Sequence, residues 1–136
     1  MREANIMVAC GDKGVGKTYT TTLEMQSYIQ NGNKCLVYDV NFPKEVSYKD
    51  FKRVAISDIG KLKNTEIRRV VPVLKNGRVL RREERKTLFF KILNTYRNGL
   101  VVLEDINKYI KSFSDPKIIE IITTNRHSNL DIIIHL

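Results

Sequence analysis

The chain has 136 residues, 42% of them hydrophobic and 29% charged, which suits a single globular domain of residues 1–136 and excludes a disordered chain. No apolar run reaches the length of a membrane span, and "MREANIMVAC" lacks the apolar core of a secretion signal, so the expected location is the cytoplasm. The formal net charge of +9 points to a polyanionic partner such as nucleic acid, or to a surface kept basic for solubility.

In chain order, "NIMVAC" (Asn5 to Cys10) reads as a short buried strand. After a glycine-rich stretch, "KTYTTTLEMQSYIQNG" reads as a helix with Tyr19, Leu23 and Ile29 on one side and Gly32 placed to end it. "KCLVYDV" (Lys34 to Val40) is a second strand with Asp39 near its carboxyl end, and residues 41–64 give mixed signals. "RRVVPVLKNGRVLR" (Arg68 to Arg81) has the form of a hairpin turning at Asn76-Gly77, with Pro72 marking its first arm as an edge strand. "REERKTLFFKILNTYRNG" is a helix whose buried face is Leu88, Phe89, Ile92, Leu93 and Tyr96, stopped by Gly99. "LVVLED" (Leu100 to Asp105) is an apolar strand ending in two acids. A helix capped by Asp115 with Pro116 at its first position and a last strand, "LDIIIHL", complete the chain. The alternation implies an α/β fold, a three-layer sandwich around a mainly parallel sheet, with the hairpin as an antiparallel addition. Cys10 and Cys35 are too few for a disulfide framework and read as reduced core thiols.

The stretch "ACGDKGVGKTYT" carries the chemistry. Gly11, Gly16, Lys17 and Thr18 satisfy G-x-x-x-x-G-K-[ST] between a strand and a helix, the context that makes this pattern a phosphate-binding (Walker A) loop. Glycines let successive amides point inward as a nest for anionic oxygens, and the helix start adds its own unpaired amides. The expected nucleotide contacts are Asp12, Lys13, Gly14, Val15, Gly16, Lys17, Thr18 and Tyr19, with Lys17 reaching the β- and γ-phosphates of ATP and Thr18 ligating Mg²⁺. A second element must supply carboxylates for the metal and for the attacking water, at the carboxyl end of a buried strand. Glu104 and Asp105 fit that place. By direct register Glu104 takes the metal side and Asp105 the water, although the order of the two acids is the reverse of the common apolar-Asp-Glu pattern and the roles can be exchanged. An acid pair with a further strand between it and the first strand fits the additional-strand class of P-loop ATPases, and no "NKxD" motif supports a GTPase.

The loop resembles that of the ParA–MinD partition ATPases, but their signature lysine falls on Asp12 and Lys13 is one place late. Taken with "VVLEDINKYI" and "TTNRHSNLDIIIHL", the chain resembles instead the FtsK–HerA group of motor ATPases, above all its viral genome-packaging members, over nearly its whole length. That group places an Arg-His step before an aspartate and a last strand ending in a polar sensor, commonly glutamine. Arg126-His127, Asp131 and "IIIHL" match the run-up. The sensor is either His135 or lies beyond Leu136 in a longer chain, the second being favoured because a sheet strand seldom ends a chain. The resemblance implies a homo-oligomeric ring that couples ATP hydrolysis to DNA translocation or packaging in the host cytoplasm, with Arg126 as an arginine finger toward the neighbouring subunit. The basic stretch Lys75 to Arg82 would then touch DNA phosphates without reading bases, unless it is a solvated hairpin with local Arg–Glu pairs. Arg68 and Arg69 could equally meet a neighbour's nucleotide. Two other functions stay open: a nucleotide-controlled switch in assembly or secretion, as in the zot-like proteins of filamentous phage, and a small-molecule kinase.

Overall fold

The computed structural model describes residues 6–9, 17–45, 47–111, 116, 118, 120 and 129–136. Strands β1 (Ile6–Ala9), β2 (Lys34–Tyr38), β3 (Ile67–Val70), β4 (Gly99–Leu103) and β5 (Leu130–His135) form one sheet in the order β1-β5-β4-β2-β3. Every pairing is parallel. The last strand therefore lies between the first strand and the acid-bearing one, the arrangement expected of the additional-strand class. Parallel pairing sends all five carboxyl ends to one edge, where the loops that carry chemistry gather.

The three central strands alternate between two cores. Cys35, Val37, Leu100, Val102 and Ile133 face helix α1 (Lys17–Gln30) with Met25 and Tyr48. Leu36, Tyr38, Val101, Leu103, Ile132 and Ile134 face helix α2 (Arg82–Thr95), whose Leu88, Phe89, Ile92 and Leu93 are buried. A sheet covered on both faces must be apolar on both, which is why β2, β4 and β5 read as unbroken apolar runs. The result is a three-layer α/β sandwich of the P-loop NTPase type. Burial pushes the Cys35 thiol up to about 12, so it is an unreactive core group.

Four sequence expectations need correction. Helix α1 buries Thr21 and Met25 and half-buries Tyr28 and Ile29, so Tyr19 and Leu23 stand on its exposed side. Strand β1 is an edge strand, which leaves Ile6 and Met7 exposed. The hairpin is a single antiparallel bridge, Val73 to Val79, around a turn in which the Gly77 amide donates to the Leu74 carbonyl; the strand before it, β3, pairs parallel with β2. Gly99 does not stop α2. Asn98, at φ 58°, makes that turn, and Gly99 opens β4. By contrast Gly32, at φ 80°, does end α1: its amide donates to Ile29 O and that of Asn33 to Tyr28 O, the Schellman pattern.

Gly99 has no room for a side chain. A Cβ there would lie 2.8 Å from the Lys34 carbonyl oxygen and 2.6 Å from the Tyr96 hydroxyl. A Cβ on Gly77 meets nothing within 4 Å, but its φ of +88° is strained for other residues. Gly99→Ala is expected to cost about 1–3 kcal/mol, and Gly77→Ala about 1 kcal/mol. Urea unfolding checks the ranking; equal or reversed losses contradict the packing described.

Candidate active site at the carboxyl edge of the sheet

Strand β4 ends at Leu103, and the next two residues carry carboxylates in different directions. Asp105 is left-handed, with φ 38° and ψ 54°. That conformation is uncommon outside glycine and turns the chain sharply. Glu104 meets His135 and Tyr48, whereas Asp105 meets Asn41 and Lys108.

The Glu104 carboxylate is held from two sides. His135 Nδ1, at the end of β5, lies 2.7 Å from Oε1, and the Tyr48 hydroxyl donates a short hydrogen bond to the same oxygen. The other ring nitrogen of His135, Nε2, lies 2.8 Å from the Thr21 hydroxyl on α1. A carboxylate only accepts, so Nδ1 carries the proton toward Glu104, and in the neutral ring Nε2 accepts from Thr21. The Thr18 side chain lies near the Tyr48 hydroxyl. One relay thus runs from α1 to Glu104, Thr21 through His135, and Tyr48 joins it on the same carboxylate oxygen. Burial first, then the nearby Glu104 charge, raises the Tyr48 phenol well above its ordinary value, so it stays a protonated donor.

Asp105 Oδ2 accepts from Asn41 Nδ2 at 2.7 Å. Lys108 donates a short hydrogen bond to Asn41 Oδ1, and its Nζ is 4.0 Å from Asp105. Asn41 also reaches Glu45, at 3.3 Å. Beyond this cluster lies a buried ion pair, Asp39 with Arg69, at 2.9 Å. Arg69 Nε donates to the Phe51 carbonyl, and the guanidinia of Arg53 and Arg69 lie 4.2 and 5.2 Å from the Phe42 ring centroid. Arg69 is therefore turned inward, not toward a neighbouring subunit, while Arg68 is half-buried beside Glu66.

Of the residues singled out from sequence, the structure places Glu104 on the Tyr48 hydroxyl, with Thr18 nearby at the start of α1. Tyr19 is on the outer side of α1 with its ring in solvent. Lys17 opens the helix. Asp12, Lys13, Gly14, Val15, Gly16, Arg126 and His127 lie outside the described residues, as does Cys10. Sequence reasoning did not find Tyr48, Asn41, Thr21 or Lys108. Thr21 was accessible, being one helical turn beyond Thr18, and so was Asn41, two residues beyond Asp39. Tyr48 lies in an irregular segment and carried no signal.

The site suits a magnesium ion on chemical grounds. A hydroxyl and a carboxylate are hard oxygen donors, and this ion takes few protein ligands when phosphate supplies others. Among the described residues no cluster of three His, Cys, Asp or Glu could hold a metal by itself. Among the same residues no helix is long and apolar enough to cross a membrane.

No protein-family model matches the chain, and no curated protein matches it in sequence. Similar folds do occur among solved structures. The genome packaging NTPase B204 from Sulfolobus turreted icosahedral virus 2, in complex with sulfate, superposes with a TM-score of 0.65 at 19% identity, over 99% of this chain and 64% of that one. Its complex with ATP-gammaS gives 0.64 at 20% identity, over 100% and 65%. The AMPPCP complex gives 0.65 at 18%, over 98% and 64%. The chain thus spans just under two-thirds of the length of those NTPase chains. What is shared at this identity is the fold, and it is the P-loop NTPase fold.

The Asp39–Arg69 pair yields a stability prediction with a defined pH sign. Burial raises the Asp39 carboxyl, and Arg69 holds the rise in check. Arg69→Met leaves the carboxylate buried and unpaired, for an expected loss of about 3–5 kcal/mol. The folded-state value of Asp39 then climbs further above the unfolded value of about 3.9. Below that pH both states are protonated and the penalty vanishes; as pH rises the unfolded chain ionises first and stability falls. Denaturant unfolding should show a larger deficit at pH 7 than at pH 5. An equal deficit at both contradicts the pairing.

Proposed function

We propose that the chain is an ATP-binding and ATP-hydrolysing P-loop motor domain, acting in a homo-oligomeric ring that moves or packages DNA. The observation that carries the reading is the tie between the acid at the end of β4 and the first turns of α1, through His135 to Thr21, with Tyr48 donating to the same carboxylate oxygen. A carboxylate in this position, facing the helix that follows a Walker A loop, is what ATP hydrolysis needs. The fold supports the reading too, being shared with a viral genome packaging NTPase that forms complexes with ATP analogues.

In this reading the amides of residues 12–16 and the start of α1 cradle the triphosphate, and Lys17 offsets charge on its β- and γ-oxygens. Thr18 and Glu104 would hold Mg²⁺, which when bound offsets phosphate charge. Asp105 orients the attacking water and takes its proton, held beforehand by Asn41 and Lys108. In this reading His135, at the end of the strand between β1 and β4, serves as the polar sensor and couples Glu104 to α1. Arg126 acts in the neighbouring subunit's site as the arginine finger. The exposed basic stretch from Lys75 to Arg82 contacts DNA phosphates, although Arg78 is committed to Glu84, at 2.8 and 2.7 Å.

ATP hydrolysis with and without duplex DNA, with solution mass measured in parallel, tests the whole reading. DNA-stimulated phosphate release by an oligomer is expected. Phosphate transfer to an added acceptor without free phosphate would point to a kinase, and slow hydrolysis indifferent to DNA to a switch. Lys17→Ala should lower kcat/KM by about 100-fold or more; full activity in that variant refutes the site. Arg126→Ala should leave ATP binding intact and lower turnover by about 10³-fold. Loss of binding instead would place Arg126 in its own subunit's site.

A further inference from the structure

Tyr48 is buried, and its ring stacks on Phe51 at 6.0 Å within the core against α1. Its segment is fastened to the edge strand. The Arg69 amide donates to the Lys52 carbonyl at 2.9 Å, the Val54 amide to the Arg69 carbonyl at 2.9 Å, and Arg69 Nε to the Phe51 carbonyl at 3.0 Å. A hydroxyl mounted this way has little freedom. It meets Glu104 on the oxygen that His135 also binds, Oε1. A carboxylate oxygen has two lone pairs, so both acceptor positions on Oε1 are filled and Oε2 is the atom left to face a ligand. Either donor alone would let the carboxylate swivel about its last bond.

We propose that Tyr48 is a positioning residue for hydrolysis: its hydroxyl and His135 together fix the rotation of the Glu104 carboxylate, so that the acid is set before nucleotide arrives. This rests on Glu104 being an acid of the ATP site. The step involves no transfer to or from Tyr48. Preorganisation of this kind acts on the transition state, where a misplaced group costs far more than it does in ground-state binding.

Tyr48→Phe keeps the ring and removes only the hydroxyl. The proposal predicts that kcat for ATP falls about 10- to 100-fold, while KM for ATP stays within about threefold and the melting temperature holds. Phe51→Leu, which loosens the packing beneath the ring and leaves the hydroxyl, should lower the melting temperature and keep kcat. Wild-type kcat in Tyr48→Phe overturns the proposal. So does equal loss of kcat in both variants, or failure of Tyr48→Phe to fold, since each makes Tyr48 a packing element. The wild-type chain and Lys17→Ala are assayed alongside. If the wild type hydrolyses ATP, Lys17→Ala is inactive and Tyr48→Phe is unimpaired, only the role of Tyr48 falls. A wild type without ATPase activity overturns the reading of the site and this proposal together.

Discussion

A carboxylate taken out of water has to be satisfied by donors, and the way Glu104 meets that demand organises this molecule. Its two donors come from opposite flanks of β4. His135 ends the strand on one side, and Tyr48 follows the strand on the other. His135 in turn reaches Thr21 on α1. One half-buried acceptor thereby ties together β4, β5, the segment after β2 and, through His135, the helix that follows the glycine loop. A parallel sheet makes this possible, because only parallel strands deliver all of those ends to one edge.

The neighbouring acid is handled differently. Asp105 stands in a left-handed turn, and its carboxylate accepts from Asn41 and lies 4.0 Å from the Lys108 ammonium. Farther out, Asp39 and Arg69 pin β2 to β3 and hold the segment that carries Tyr48. The polar groups at this edge thus form successive tiers, and the outer ones serve as the mounting for the inner.

Much of this was legible in the sequence wherever local pattern and burial agree. The apolar runs of β2, β4 and β5 and the buried face of α2 read correctly because double-sided burial leaves no alternative. The place of β5 beside the acid strand followed from the class to which the loop and acids point. Helix α1 was misread at Tyr19 and Leu23 because its buried face is built partly from Thr21, a polar residue, so hydrophobic periodicity picks the wrong side. Strand β3 was folded into a hairpin because Asn76-Gly77 is a strong local turn signal, whereas the parallel partner of β3 is some thirty residues away. Tyr48 and Asn41 were illegible for a related reason: they are brought to Glu104 and Asp105 by chain crossings that no local spacing encodes.

The central claim is spatial: a nucleotide triphosphate held at the start of α1, with Glu104 facing its magnesium ion. A crystal structure of this chain with magnesium and a non-hydrolysable ATP analogue measures it directly. The account predicts the phosphates on the amides of residues 12–18, the Thr18 hydroxyl on the metal, and Glu104 within direct or single-water reach of it. A nucleotide bound elsewhere, or a Glu104 carboxylate more than about 10 Å from the metal, would contradict it.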